Sequence, residues 1–327
     1  MIPASPSDSS PSLRIVTVNW NAGNLLRECV DSLAGALTGG FRLESMTIVD
    51  NASQDGSAVG LETIATGLPL TVVANTENRG FAAACNQGAA GSKADWLLFL
   101  NPDTRLSANS LTPVFSFLAD PSSNRIGALD VQLLDETGRT QRCCARRPSP
   151  GRLVAQAIGL DSVMPSLFPP HFMIEWDHKD TRDVDQAMGA FLMIRRSLFQ
   201  DLGGFDERFF VYFDDVDLCL RVRQANWRVV HFAGATAYHK GGGTTDQVRA
   251  TRLFYGWRSR LLFTAKHHGA LALLAVTLAT LFMEPLARLA QAVLRRRPQD
   301  AMGVLGGVAR LWADMPHLLP RLMRGHG

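Results

Sequence analysis

The sequence predicts an α/β fold, a doubly wound and mostly parallel sheet with helices at its C-terminal end. Three observations predict it. Short β-branched or apolar runs alternate with stretches of helical periodicity over the first hundred residues. Each of these runs ends in Asn or Asp, where open parallel sheets hold their ligands. The run Asp95 to Leu100 is nearly all apolar, as a strand buried on both faces should be.

The elements follow in order. Arg14 to Asn19 reads as a strand, and Asn24 to Leu37 has the apolar spacing of a helix. Ser45 to Val49 is a second strand that closes on the polar turn Asp50 to Ser57. Leu70 to Ala74 is a third, running into Asn75 and Asn78-Arg79-Gly80-Phe81, after which Ala82 to Ala90 favours helix. The fourth stops at Asn101-Pro102-Asp103. A buried core would require the strands, but it would not require a polar residue at every C-terminal end.

Beyond Thr104, Leu106 to Leu118 reads as helix and Ile126 to Leu134 as strand and turn. Cys143 to Asp185 has weak periodicity and reads as an acceptor-facing loop or lid, or equally as a variable surface insertion. Regularity returns at Gly189 to Ile194, then a helix at Arg196 to Asp201, the turn Gly203 to Asp206, and a helix from Asp214 to about Asn226.

Composition sets limits. With 327 residues, 46% hydrophobic and 19% charged, the chain holds one catalytic domain with a tail and is too apolar to be disordered. A formal charge of +3 excludes nucleic-acid binding by bulk electrostatics. Five cysteines without a C-x-x-C pair point to a reducing compartment. The division expected is a disordered Ser/Pro-rich leader at 1–12, neither signal peptide nor membrane span, a catalytic domain at 13–243 and a helical segment at 244–327.

Chemistry concentrates at Phe209 to Arg223, where Asp214, Asp215 and Asp217 open an amphipathic helix. A helix N-terminus needs one acid. Crowding three raises the pKa of at least one, which suits a base or a metal site. Asp103 sits at the mouth of the sheet, where a metal bound with a diphosphate takes one or two protein carboxylates, although an Asp turn is common. His239 precedes the glycine run Gly241 to Gly243, while His231, His267 and His268 read as packing or surface residues.

Together these segments resemble the family 2 glycosyltransferases of the GT-A fold, and in particular their rhamnosyltransferase-like branch. The resemblance rests on Val16-Thr17-Val18-Asn19-Trp20-Asn21, Val49-Asp50-Asn51-Ala52-Ser53-Gln54-Asp55-Gly56-Ser57, Asn78-Arg79-Gly80-Phe81, Leu100-Asn101-Pro102-Asp103-Thr104, and Gly203-Gly204-Phe205-Asp206-Glu207 followed by Asp214-Asp215-Val216-Asp217-Leu218. It covers about residues 13 to 245. It implies a Rossmann-like nucleotide-binding half fused to an acceptor-binding half, and an inverting sugar transfer in bacterial surface glycan synthesis. Thr17, Asn19, Asp50, Asn78 and Gly80 would hold the donor, with Asp103 on the diphosphate and its Mg2+ or Mn2+. Asn101 replaces the first Asp of the usual D-x-D, and Asp214-Asp215 stands for the usual Glu-Asp, making Asp215 the expected base. His239 would complete the metal shell. Asp185 and Gly189, with Asp214 and Asp217, would face donor sugar and acceptor. The branch implies dTDP-rhamnose as donor, a UDP-sugar being the alternative.

In the tail, Leu261 to Met283 is apolar, but its uninterrupted part, Gly269 to Met283, is short for a bilayer span. An interfacial helix with Arg295, Arg296 and Arg297 on anionic headgroups fits better. This predicts a cytoplasmic enzyme, peripheral on the inner face of the cell membrane, with a glycan or lipid-linked acceptor. A non-catalytic nucleotide-sugar-binding protein is the competing reading. It would have no need of Asp215.

Overall fold

The computed structural model describes residues 10–64, 67–241 and 249–323. Residues 1–9 of the expected leader, and Gly242 and Gly243 of the glycine run, lie outside the described residues. In chain order the elements are β1 (Ser12–Asn19), α1 (Asn24–Ala36), β2 (Arg42–Asp50), α2 (Leu61–Ile64), β3 (Leu70–Ala74), α3 (Phe81–Ala89), β4 (Trp96–Leu100), β5 (Thr104–Arg105), α4 (Ala108–Leu118), β6 (Ile126–Leu134), α5 (Pro150–Ala157) and α6 (Leu160–Val163). They continue with β7 (Arg182–Asp183), β8 (Phe191–Arg195), α7 (Arg196–Asp201), α8 (Asp214–Gln224), β9 (Arg228–His239), α9 (Arg249–His267), α10 (Ala270–Leu278), α11 (Glu284–Leu294) and α12 (Pro298–Met323). Two units result. The first takes residues up to 145, 174–207 and 215–241, and the second takes 146–173, 208–214 and 249–323.

The first unit is built on one sheet of order β3-β2-β1-β4-β8-β6-β9-β5, with β7 on β9. The first four strands are parallel, so Asn19, Asp50, Ala74 and Leu100 end along one edge. Helix α1 turns Leu26, Cys29, Val30 and Leu33 inward, the i, i+3, i+4, i+7 stripe of an amphipathic helix. Helix α3 lies so near β1 that a Cβ on Gly88 would stand 2.4 Å from Val16 Cγ1, and only glycine permits the approach. Strand β4 is buried at every position, as its composition requires.

Beyond β4 the sheet becomes mixed. Strand β8 runs antiparallel to β4 and β6, β9 is parallel to β6, and β5 and β7 are antiparallel to β9. Helix α4 starts two residues later than its apolar pattern because Ser107 caps it, accepting from the Asn109 amide while the Ser110 hydroxyl accepts from Ser107. The stretch Cys143 to Asp185 carries α5, α6 and β7 and is shared between the units, so no single period runs through it.

In the second unit, α9 and α12 pack around Trp257, Leu261 and Leu311. Arg260 of α9 makes a buried ion pair with Glu284, which also binds Arg288 at 2.7 Å. Burial opposes the charge of Glu284, but the two arginines outweigh it and hold its carboxyl below the ordinary range. The apolar helix is longer than its sequence stretch, for Ala270 to Leu294 forms one helix of 25 residues, long and apolar enough to cross a membrane. A π-type turn at Ala279–Met283 absorbs Pro285, whose nitrogen cannot donate to the preceding turn. Leu271, Leu274, Leu278, Phe282, Leu286 and Val293 form an exposed stripe along it, while Val276, Ala279, Thr280, Glu284 and Ala292 are buried.

Candidate active site

The polar strand ends of the parallel half are knit together by side-chain amides. Asn19 Nδ2 donates to Asp50 Oδ1 at 2.7 Å and to the Ser53 and Ser57 hydroxyls at 3.0 and 2.8 Å. Asn51 Nδ2 donates to Asn78 Oδ1 and the Gly80 carbonyl, while its Oδ1 accepts from Asn75 Nδ2 and the Arg79 amide. Thr17 and Asn19, on one face of β1, are both buried without exposure. Asn19 therefore braces the turn that follows β2 from behind instead of presenting itself at the surface, and Asp50 and Asn78 are the more accessible groups. Ala52 takes a left-handed φ of 63° in the turn between them.

Asp103 leaves β4 at the same edge. The pairing of Thr104 with His239 brings the imidazole beside it, Nε2 standing 3.5 Å from Asp103 Oδ1. The Gln141 side chain clamps this histidine, its Oε1 2.9 Å from Nδ1 and its Nε2 donating to the His239 carbonyl at 2.7 Å. With Nδ1 held by the Gln141 oxygen, Nε2 is the ring nitrogen turned toward Asp103, and a bound ion would take it in place of a proton. Burial opposes ionisation of Asp103, but His239 and backbone donors outweigh it and hold the carboxyl below the usual range. One oxygen and one imidazole nitrogen at this separation fit two adjacent positions on a divalent ion.

The third cluster flanks residues 186–190. The Ala190 carbonyl accepts from the Asn101 amide at 3.1 Å and from the Thr104 hydroxyl at 3.2 Å, tying this segment to the Asp103 loop. The neighbouring Gly189 amide donates to Asp215 Oδ2 at 3.1 Å, and Val216 donates to Oδ1 at 2.8 Å. Burial pushes the Asp215 carboxyl up, against those two donors and the Gln186 side chain. The chain enters α8 through Tyr212 and Phe213, both left-handed at φ 66° and 64°, a costly backbone for bulky residues.

The acids near Asp215 make contacts of their own. Asp217 is wholly buried and pairs with Arg221 at 2.8 Å, and that guanidinium also donates to the carbonyls of Leu202 and Gly204. It pins the glycine turn. Asp214 is buried as the first residue of α8. Asp185 is half-buried and paired with Arg223 at 2.8 Å. Desolvation is the largest cause of the rise at Asp215.

Sequence reading missed Asn51, Gln141 and Gln186, since amides advertise no chemistry. It read His231 as a packing or surface residue, without a partner. His231 is wholly buried 2.8 Å from Asp130, a carboxylate in the middle of apolar β6 that signals a hidden partner. With Cys144 these two have ligand-type atoms within 4.8 Å of one another. All five cysteines are free and buried.

Comparison with known proteins agrees with this geometry. The model of glycosyl transferase family 2 matches residues 14–203, and that of glycosyl transferase family group 2 matches residues 170–318. The chain is 28% identical over 276 residues to an N-acetylglucosaminyl-diphospho-decaprenol L-rhamnosyltransferase of Mycobacterium tuberculosis, covering 79% of this chain and 85% of that one. A rhamnosyltransferase of Escherichia coli is 28% identical over 148 residues, 44% of this chain and 52% of that protein. A mannosyltransferase from Pyrobaculum calidifontis, solved in complex with GDP-Man and Mn2+, superposes with a TM-score of 0.54 at 20% identity, covering 98% of this chain and 88% of that one. The chain belongs to glycosyl transferase family 2 and is a rhamnosyltransferase-like glycosyltransferase of the GT-A fold.

Proposed function

We propose that the chain is an inverting transferase that moves L-rhamnose from dTDP-rhamnose to a hydroxyl of a lipid-linked glycan acceptor. The observation that carries this reading is the desolvated Asp215 carboxylate, held by the Gly189 amide on the segment that joins the Asp103 loop. The rhamnosyltransferase relatives support the donor, and the decaprenol in one relative's name supports the acceptor class.

In this reading Asp50, Asn78 and Gly80 border the nucleoside, with Asn19 and Asn51 fixing their loops and Thr17 buried behind them. Asp103 Oδ1 and His239 Nε2 would hold a divalent ion, Mg2+ or Mn2+, which when bound neutralises charge on the departing diphosphate. The acceptor oxygen attacks the anomeric carbon as the bond to the diphosphate breaks, the electron pair leaving with the phosphate oxygen. Asp215 takes the acceptor proton. Each of its oxygens keeps a lone pair beyond the amide it already accepts, and its raised pKa brings it nearer to working pH. Attack opposite the leaving group inverts the configuration.

The exposed stripe of the 270–294 helix, followed by exposed Arg295, Arg296 and Arg297, supports peripheral attachment to an anionic membrane at the cytoplasmic face. The opposite side of that helix packs on its own unit, which favours lying on the bilayer over crossing it. Charge reversal of the three arginines should abolish flotation of the full chain with phosphatidylglycerol vesicles. Undiminished flotation would refute attachment through them.

Asp215→Asn tests the mechanism. Donor affinity should survive while transfer falls by about 10²–10⁴-fold, the usual share of general-base assistance. A retained anomeric configuration in the product removes the mechanism, and an exclusive response to uridine donors removes the thymidine assignment.

A further inference from the structure

The Asp130–His231 pair lies outside the catalytic roles assigned above, yet it reaches the same segment. His231 Nδ1 stands 2.8 Å from Asp130 Oδ1 and Nε2 stands 3.1 Å from the His178 carbonyl. Both ring nitrogens face acceptors, and only an imidazolium donates to both. Burial opposes that charge, but the hydrogen bond and charge of Asp130 outweigh it and raise the His231 pKa. Cys144 Sγ lies 3.3 Å from Nδ1, its thiol pushed far up by Cys143, burial and Asp130. A metal ion here would have to displace the thiol proton and the Nδ1 proton. With His231 bonded to Asp130 and to the His178 carbonyl, the cluster reads as a buried ion pair.

The other oxygen of Asp130 faces outward along the chain. Asp130 Oδ2 accepts the Met188 amide at 3.2 Å, and the next amide, Gly189, donates to Asp215 Oδ2 at 3.1 Å. Two consecutive N–H groups thus point at two carboxylates, one locked in the core and one at the site. We propose that the Asp130–His231 ion pair positions Asp215, anchoring Met188 so that the Gly189 amide stays on the catalytic carboxylate. This inference rests on Asp215 as the base. A charge-assisted bond holds an amide more firmly than a neutral one, and His231 offsets the cost of burying the anion. Asp130, Asp215 and Arg221 act on the neighbouring Cys219 thiol, which burial pushes up and keeps neutral, and Asp214 and Asp217 flank Asp215 on α8.

Full-length Asp130→Ala, Asp130→Asn and the double variant Asp130→Leu/His231→Phe test it against the parent and Asp215→Asn. The double variant replaces a buried ion pair by apolar groups, a change that folds are known to tolerate, and so keeps the comparison open if Asp130→Ala does not fold. Variants without an acceptor at 130 should lose kcat roughly 10- to 100-fold, the cost of a misplaced catalytic group, at unchanged donor KM. The acid limb of their kcat–pH profile should move to higher pH, because the carboxylate loses a donor to its ionised form. Asp130→Asn, whose neutral amide oxygen still accepts from Met188, should recover both only in part. An unmoved limb with near-parent kcat in the double variant overturns the proposal, as does one equivalent of zinc in the purified parent that Cys144→Ala abolishes. Full transfer by Asp215→Asn instead means that the base itself is misassigned.

Discussion

Strand β9 carries two histidines that each face an aspartate, and the two pairs are built for opposite ends. His231 and Asp130 are wholly buried, touch at 2.8 Å, and leave no ring nitrogen spare. His239 and Asp103 stand 3.5 Å apart, slightly exposed at 8% and 12%, with Nδ1 taken by Gln141 and Nε2 open toward the carboxylate. The first pair is complete as it stands. The second has room for a third participant. If His239 and Asp103 hold the ion as proposed, the same two side-chain types serve as a structural anchor or a ligand pair according to distance, solvent and what occupies the far nitrogen.

The comparison breaks most visibly at Asp103. If that carboxylate holds the metal, Asp103→Ala should lose about 10²–10³-fold in turnover, as when a site loses a group opposing charge that develops on the leaving atom. Nucleotide affinity should also lose its dependence on Mn2+. Turnover and titration with and without chelator measure both, and full activity in chelator would put His239 and Asp103 in the same structural class as the buried pair.

How much of this was legible varies with how local the cause is. Polar strand ends at Asn19, Asp50 and Asp103 are turn chemistry and could be read directly, and β3 was bounded to the residue. The direction of β8 was hidden, because a five-residue apolar run reads the same either way. Asp215 and Asp217 look alike by composition, yet Asp217 with Arg221 is an i, i+4 pair on α8, a spacing that separates the structural acid from its neighbour. Asp130 and His231 lie a hundred positions apart in the chain and meet only through the β6–β9 pairing, which no periodicity reveals.

A second effect should appear only at the buried pair. His231 binds its proton more tightly in the folded protein than in the unfolded chain. The stability that this contributes is therefore fully present below the ordinary value of about 6.5 and is lost as pH rises through the raised folded value. His231→Gln should cost about 3 kcal/mol near pH 6, since it strands a buried carboxylate, with a smaller deficit at alkaline pH. Melting temperatures of parent and variant across that range measure it. A deficit that grows with pH would mean the imidazole is buried neutral and the pair is misread.

The smallest effect, and the finest cut between the two histidines, belongs to Gln141. Its Oε1 fixes the His239 tautomer at 2.9 Å and its amide holds the same residue's carbonyl at 2.7 Å, yet it touches neither substrate nor the proposed ion. Gln141→Leu keeps the volume and removes both bonds, so the imidazole can turn or carry its proton on Nε2, where it cannot ligate. Loss of an outer partner of this kind costs a metal site on the order of tenfold in affinity. Mn2+ titration of the nucleotide-bound protein should show that loss, with kcat at saturating Mn2+ close to the parent's, because the ligands themselves remain. Gln141→Glu, which keeps the acceptor, should recover the affinity. Equal Mn2+ affinity in the Leu variant and the parent would show that His239 needs no orientation and stands outside the metal shell, leaving Asp103 to hold the ion with the diphosphate alone.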